Sequence, residues 1–129
     1  MNTKPTKAYT LTSIAMLIAG VTAFCIGLLN AEMALNEKGY YFAILIFGLF
    51  SFVSLQKTVR DKLEGQEISK PYSIMCWVAS GAAVALLAIG LVNAELLLSE
   101  KGFYAMAYLL AGFGAITVQK NVRDNLAHQ

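Results

Sequence analysis

From Asn30 to Asp61 the chain reads NAEMALNEKGYYFAILIFGLFSFVSLQKTVRD, and from Asn93 to Asp124 it reads NAELLLSEKGFYAMAYLLAGFGAITVQKNVRD. Gly39 and Gly102 lie 63 residues apart, and the same offset carries Glu32 onto Glu95 and Arg60 onto Arg123 without a gap. Self-similarity at a fixed offset means two copies of one structural unit. Each copy holds a polar tip, an apolar run and a basic exit, the pattern of a helical hairpin that enters and leaves a membrane.

Composition supports that reading and excludes others. Hydrophobic residues make up 57% of the 129 positions and charged residues only 14%, unlike a soluble domain. The charges avoid the apolar runs and gather at their ends, so lipid as well as protein must cover the apolar surface. A net charge of +2, with no basic stripe, argues against nucleic acid as a partner. No metal or cofactor is expected, because the single histidine, His128, sits in the tail apart from the two cysteines. Through the repeat Cys76 occupies the position of Ser13, roughly 18 Å along a helix from the level of Cys25, so the two thiols cannot pair within one molecule. No phosphate-binding glycine loop and no nucleophile–histidine set is present either, so the chain is expected to be no enzyme.

The expected architecture is an all-α membrane protein with four transmembrane helices arranged as two tandem, parallel-repeat hairpins. The first repeat covers residues 9–64, a linker 65–71 and the second repeat 72–127. Met1 to Thr10 reads as a polar lead-in, and the apolar stretch from Leu11 to Leu35 is long enough to span a bilayer, which takes about 20 residues. A removable signal peptide is the rival reading of this segment, and it is weakened by the internal recurrence of the same segment, with Tyr72 matching Tyr9 and Gly90 matching Gly27. Asn36, Glu37, Lys38 and Gly39 are expected to form the first hairpin tip, with Gly39 in the left-handed conformation that ends a helix. Ser99, Glu100, Lys101 and Gly102 repeat that tip. So short a connection predicts that the two helices of each hairpin pack against each other as antiparallel neighbours. Tyr40 to Leu55 is about 24 Å of helix, short of a hydrocarbon core of about 30 Å, so the second helix should continue through Gln56, Lys57 and Arg60. Lys57 with Asp61, and Arg60 with Glu64, are spaced four apart and should form local ion pairs on that extension. Gly65 should end it, and Pro71 should open the third helix.

Orientation follows from the distribution of lysine and arginine. Lys4, Lys7, Lys57, Arg60, Lys62, Lys70, Lys120 and Arg123 fall on the side of the termini and linker, whereas Lys38 and Lys101 fall on the other. An excess of positive charge marks the cytoplasmic side, so both termini are expected there.

Three groups of side chains are candidates for function. Asn30, Glu32, Asn93 and Glu95 form a polar cluster near the outer face. An ionisable group in a span is costly and points to ion or proton handling, yet at roughly 35 Å above Tyr9 a hairpin-ordering role fits Glu32 as well. Lys57, Arg60, Lys120 and Arg123 are candidate contacts for anionic phospholipid headgroups, and they also fix topology. The series Ala19, Ala23, Gly27 and Ala31 places small residues on one helix face, which serves packing inside the bundle, a homodimer or a membrane-protein partner.

The strings LNEKGYYFA and QKTVRD, then LLLSEKGFY and QKNVRD, closely resemble the bacterial YiaA/YiaB inner-membrane proteins, whose unit is a two-helix domain. The resemblance runs from about Leu11 to Leu126. It implies two tandem domains in the inner membrane of a Gram-negative bacterium, and it brings no established activity or catalytic residue. The expected function is a non-enzymatic structural or accessory part of the envelope, with a small transporter or channel built on the outer Asn/Glu pairs as the alternative.

Overall fold

The computed structural model describes residues 4–129, so the start of the polar lead-in, 1–3, lies outside the described residues. Four helices follow one another, α1 (Lys7–Asn30), α2 (Leu35–Leu63), α3 (Lys70–Asn93) and α4 (Leu98–Ala127). All four are long and apolar enough to cross a membrane. Helix α1 starts four residues before the apolar run, because Thr6 Oγ1 accepts a hydrogen bond from the Tyr9 amide at 3.1 Å and caps the first turn. Helix α2 does run on through Gln56, Lys57 and Arg60. Gly65 then takes φ +81°, a conformation that costs a side chain steric strain, and the Gln66 amide closes back on the Asp61 carbonyl at 2.9 Å. Pro71 lies in the first turn of α3, where its missing amide hydrogen costs nothing.

The hairpin tips are not where the sequence placed them. Helix α1 ends at Asn30, the connection is Ala31–Ala34, and Glu37, Lys38 and Gly39 all lie inside α2. Gly39 and Gly102 are ordinary helical residues, since among the described residues only Gly65 has positive φ. Glu37 and Lys38 close the hairpin from within the second helix. Glu37 Oε1 accepts from the Ala34 amide at 3.2 Å, satisfying a donor at the start of α2, while Lys38 Nζ reaches back to the Leu29 carbonyl at 3.4 Å, at the end of α1. The second copy repeats both contacts, Glu100 with the Leu97 amide at 3.0 Å and Lys101 with the Val92 carbonyl at 3.4 Å.

Nor do the two helices of one hairpin pack chiefly on each other. Helix α1 lies mainly against α4, and α3 against α2, while α2 and α4 touch at the centre; α1 with α2, and α3 with α4, share little. The two copies are therefore intertwined, each outer helix resting on the long helix of the other copy. Small residues and aromatic rings fix this exchange. Gly27 of α1 leaves room for Phe103 and Tyr104 of α4, and its repeat mate Gly90 of α3 leaves room for Tyr40 and Tyr41 of α2. Tyr41 and Tyr104, also repeat mates, stack across the centre with ring centroids 6.3 Å apart. A side chain at either glycine would collide with a ring, and lipid supplies little hydrophobic drive, so this fit is a large part of what holds the helices together.

The symmetry is broken where the outer helices meet the long ones. Along α1 and α4, Gly20 and Gly114 let the opposing backbones at Ala111 and Leu17 come into close contact. On the matching α3–α2 face, Tyr108 inserts instead. Its ring lies over Gly48 and its hydroxyl donates to the Ile44 carbonyl at 3.1 Å, where the first copy has only Leu45.

Candidate functional site

The QKxVRD strings of the two copies meet at the rim that carries the termini. Lys57 Nζ bonds Asp61 Oδ2 at 2.8 Å, and Asp61 Oδ1 lies 2.7 Å from Arg123 Nη2 of the other copy. Arg123 Nη2 also meets Glu64 Oε1 at 2.6 Å, and Glu64 Oε2 accepts from Arg60 Nε at 2.7 Å. Arg60 Nη2 crosses to Asp124 Oδ1 at 2.7 Å, and Asp124 Oδ2 ends the series on Lys120 Nζ at 2.7 Å. Seven side chains thus alternate in sign, Lys57, Asp61, Arg123, Glu64, Arg60, Asp124 and Lys120. Each aspartate holds the lysine of its own helix and the arginine of the other copy. Glu64 alone has no acidic mate, since its equivalent position is Ala127, and it joins the two arginines.

Burial grades this clasp. The side chains of Asp61, Asp124 and Arg60 are 4%, 5% and 8% exposed and Arg123 is 14% exposed, whereas Lys57 and Lys120 are about half-exposed. Arg60 and Arg123 are therefore engaged by carboxylates, and the lysines remain the cations open to the surroundings. The clasp lies beyond the apolar stretches, where its carboxyls titrate. The Lys57 hydrogen bond, opposed by burial and aided by Arg123, holds Asp61 below its ordinary value. Hydrogen bonds from Arg60 and Arg123 do the same for Glu64. At Asp124 burial works upward, but Lys120 and Arg60 outweigh it and the net shift is down.

Just inside the clasp lies a second reciprocal pairing. Asn121 Nδ2 donates to Ser13 Oγ at 3.2 Å, joining α4 to α1, and the repeat mates Thr58 and Cys76 meet at 3.5 Å, joining α2 to α3. Both cysteines are free thiols.

At the opposite end the polar cluster divides. Glu32, Asn93 and Glu95 line one cavity of about 320 Å³ together with Glu37, whereas Asn30 lines a different recess beside Gly27, Glu100 and Tyr104. Glu32 and Glu95 sit in the exposed connections, outside the helices. Lys38 is turned to the end of α1. Asn30 and Asn93 bond carbonyls of their own helices, Ile26 at 2.9 Å and Ile89 at 2.8 Å, so neither ties one helix to another. The small-residue series of α1 is divided too, with Ala19 exposed and the buried stripe formed by Ser13, Gly20, Phe24 and Leu28. Among the described residues no group of three metal-ligating side chains forms.

Sequence reasoning found the local pairs Lys57–Asp61 and Arg60–Glu64 but missed the three that cross between copies, Arg60–Asp124, Arg123–Asp61 and Arg123–Glu64. The signal was present, because a motif with Arg and Asp adjacent, occurring twice on one rim, can satisfy itself reciprocally. The inserted Tyr108 left no such signal.

Four apolar helices in tandem pairs, with charge confined to their ends, define a multi-pass membrane protein. The chain belongs to the family of the yiaA/B two helix domain, which matches residues 9–61 and again 72–124. It is 55% identical over 117 residues to "Inner membrane protein YiaA" of Escherichia coli (strain K12), covering 91% of this chain and 81% of that one. It is also 44% identical over 64 residues to "Uncharacterized membrane protein YubF" of Bacillus subtilis (strain 168), covering 49% of this chain and 74% of the relative. No solved structure was found to match. With this kinship and four spans, the chain is a multi-pass protein of the inner membrane.

Proposed function

We propose that the protein is a non-enzymatic structural or accessory component of the inner membrane, with both termini on the cytoplasmic side. The observation that carries this reading is the alternating clasp at the basic rim. Its arginines and carboxylates pair across the two copies at 2.7 Å, which favours a fixed scaffold over groups that bind and release a substrate. The stacked tyrosines and glycine notches brace the other end, and between them lies a packed layer of Phe24, Leu45, Leu87 and Ala111. A scaffold of this kind serves by what it stands beside. Crosslinking in native membranes followed by affinity capture of the full chain tests the reading, with recovery of one membrane protein in constant ratio as the expected result. Recovery of the chain alone, together with ion flux in liposomes, would overturn it.

The outer cavity favours a second reading, a small transporter or channel for cations. Glu32, Glu37 and Glu95 converge there with Asn93, and three carboxylates attract positive charge. Flux through the reconstituted protein that disappears in the Glu32→Gln/Glu95→Gln variant would establish this alternative; absence of flux in the parent protein would remove it.

A further inference from the structure

The arms of the second hairpin leave an open furrow between α3 and α4, floored by Phe52 of α2 and walled by Val84, Leu87, Leu91, Gly112 and Ile116, with a volume of about 330 Å³. Its lining is apolar throughout, and it lies in the membrane-spanning part of the helices. The repeat explains the furrow. The second copy carries Gly112 and Ala105 where the first carries Leu49 and Phe42, so α4 withdraws two large side chains from this side. Tyr108 adds its ring to the lining, with its hydroxyl turned to the Ile44 carbonyl of α2.

Size decides what fits. Along α4 the lining runs from Ala105 to Ile116, roughly 16 Å at 1.5 Å per residue. A helix segment of that length and about 10 Å diameter occupies on the order of 1,200 Å³, several times the furrow, so a helix could only rest across its mouth, whereas a single hydrocarbon chain lies inside it. The furrow crosses the middle of the spans, from Ile116 toward the basic rim to Leu91 toward the tips, so a chain that enters at the Ile116 end runs on past the midplane. Charge decides which lipid. Lys120 lies one turn beyond Ile116 on the same face of α4, with its side chain half-exposed, and the clasp it ends holds four cations against three carboxylates. The surplus positive charge at the mouth of the furrow matches an anionic headgroup.

We propose that this furrow is a lipid site that holds one acyl chain of an anionic phospholipid from the leaflet at the basic rim, with the phosphate against Lys120. Arg60 and Arg123 take no part, because they are buried among carboxylates, whereas Lys120 keeps about half its side chain exposed while bonded to Asp124. The first copy keeps Leu49 and Phe42 at the matching positions, and the separate apolar recess of about 500 Å³ between α1 and α4 lies against Met16 and Ala23 instead of α3.

The test is native mass spectrometry of the full chain released from detergent after exchange with phosphatidylglycerol or phosphatidylcholine. The parent protein should retain one phosphatidylglycerol at least tenfold more than one phosphatidylcholine. Gly112→Leu, which installs the residue of the first copy, should abolish retention of both lipids. Lys120→Gln should remove the preference for phosphatidylglycerol while retention of one chain persists, and Lys57→Gln, at the matching cation of the first copy, should change neither. Should Gly112→Leu fail to fold, Val84→Trp on the exposed wall of the furrow carries the same expectation. Equal loss of preference in Lys57→Gln and Lys120→Gln would overturn the proposal in favour of diffuse surface charge. Undiminished retention in the furrow variants would overturn the site itself, and conversion of a parent dimer to monomer by Gly112→Leu without lipid retention would assign the furrow to a second copy.

Discussion

Replacing Arg60 with Gln removes one contact within its own copy, Nε to Glu64 at 2.7 Å, and one to the other copy, Nη2 to Asp124 at 2.7 Å. Exposed ion pairs contribute under about 1 kcal/mol, and breaking a fully buried one costs about 3–5 kcal/mol. The Arg60 and Asp124 side chains are only 8% and 5% exposed, but the clasp sits at a rim and Asp124 keeps Lys120, so an intermediate loss of about 2 kcal/mol is expected. Asp124→Asn should cost a similar amount, about 2 kcal/mol, by the same reasoning. Because the two groups touch, the double variant should lose about 2.5 kcal/mol rather than the additive 4, a coupling of about 1.5 kcal/mol. Lys57→Gln with Asp124→Asn is the control. Those side chains lie toward opposite ends of the clasp with no shared partner, and their effects should add within about 0.5 kcal/mol. Reversible unfolding in mixed micelles of increasing denaturing detergent, followed through the single tryptophan, Trp77, measures all of these. A coupling between Arg60 and Asp124 no larger than that of the control pair would refute the exchange of partners between the copies.

The clasp also sets an acid limit. Asp61, Glu64 and Asp124 all titrate lower in the folded chain than their ordinary values of 3.8, 4.5 and 3.8, so their stabilisation is complete above those values and is lost as pH falls below them toward the depressed folded values. An acid titration of unfolding should show that loss below about pH 4.5, and Asp61→Asn/Asp124→Asn should flatten most of it. At the hairpins, Gly39→Ala and Gly102→Ala should each raise stability by about 0.5–1 kcal/mol, since both are helical and an added Cβ meets nothing within 4 Å. Left-handed helix ends at these positions would give the opposite sign in the same unfolding assay. Gly65→Ala, at φ +81°, should lower stability by about 1–2 kcal/mol. Gly27→Val and Gly90→Val should each cost about 1–3 kcal/mol, because each Cβ would meet a ring of the other copy closer than 3 Å; thermal unfolding of the purified variants checks this.

Local rules accounted for the helix ends at the basic rim. The length deficit of the apolar run forced α2 onward past Leu55, and Gly65 and Pro71 marked the next boundaries. The same rules failed at the tips. Ala31, Met33 and Ala34 carry no turn signal, and a Glu-Lys-Gly string serves the start of a helix as readily as the end of one. Glu37 and Lys38 in fact close both helices from inside α2. The polar cluster was legible as a set of residue types but not as a place, for only the folded chain puts Glu32, Asn93 and Glu95 around one cavity and Asn30 in another.

The sequence by itself determined four spans in two tandem copies and the gathering of charge at one rim, because hydropathy, repetition and spacing along a helix are properties of the chain taken in order. Which helix lies against which was decided only by the tertiary structure. The pairing depends on whether Gly27 faces its own hairpin partner or the aromatic pair Phe103 and Tyr104 63 residues beyond Tyr40 and Tyr41, and the identical spacing of the two copies leaves both arrangements open. Volume settled it, with notch against ring and Asp61 against Arg123, and volume is a property of surfaces brought together in space.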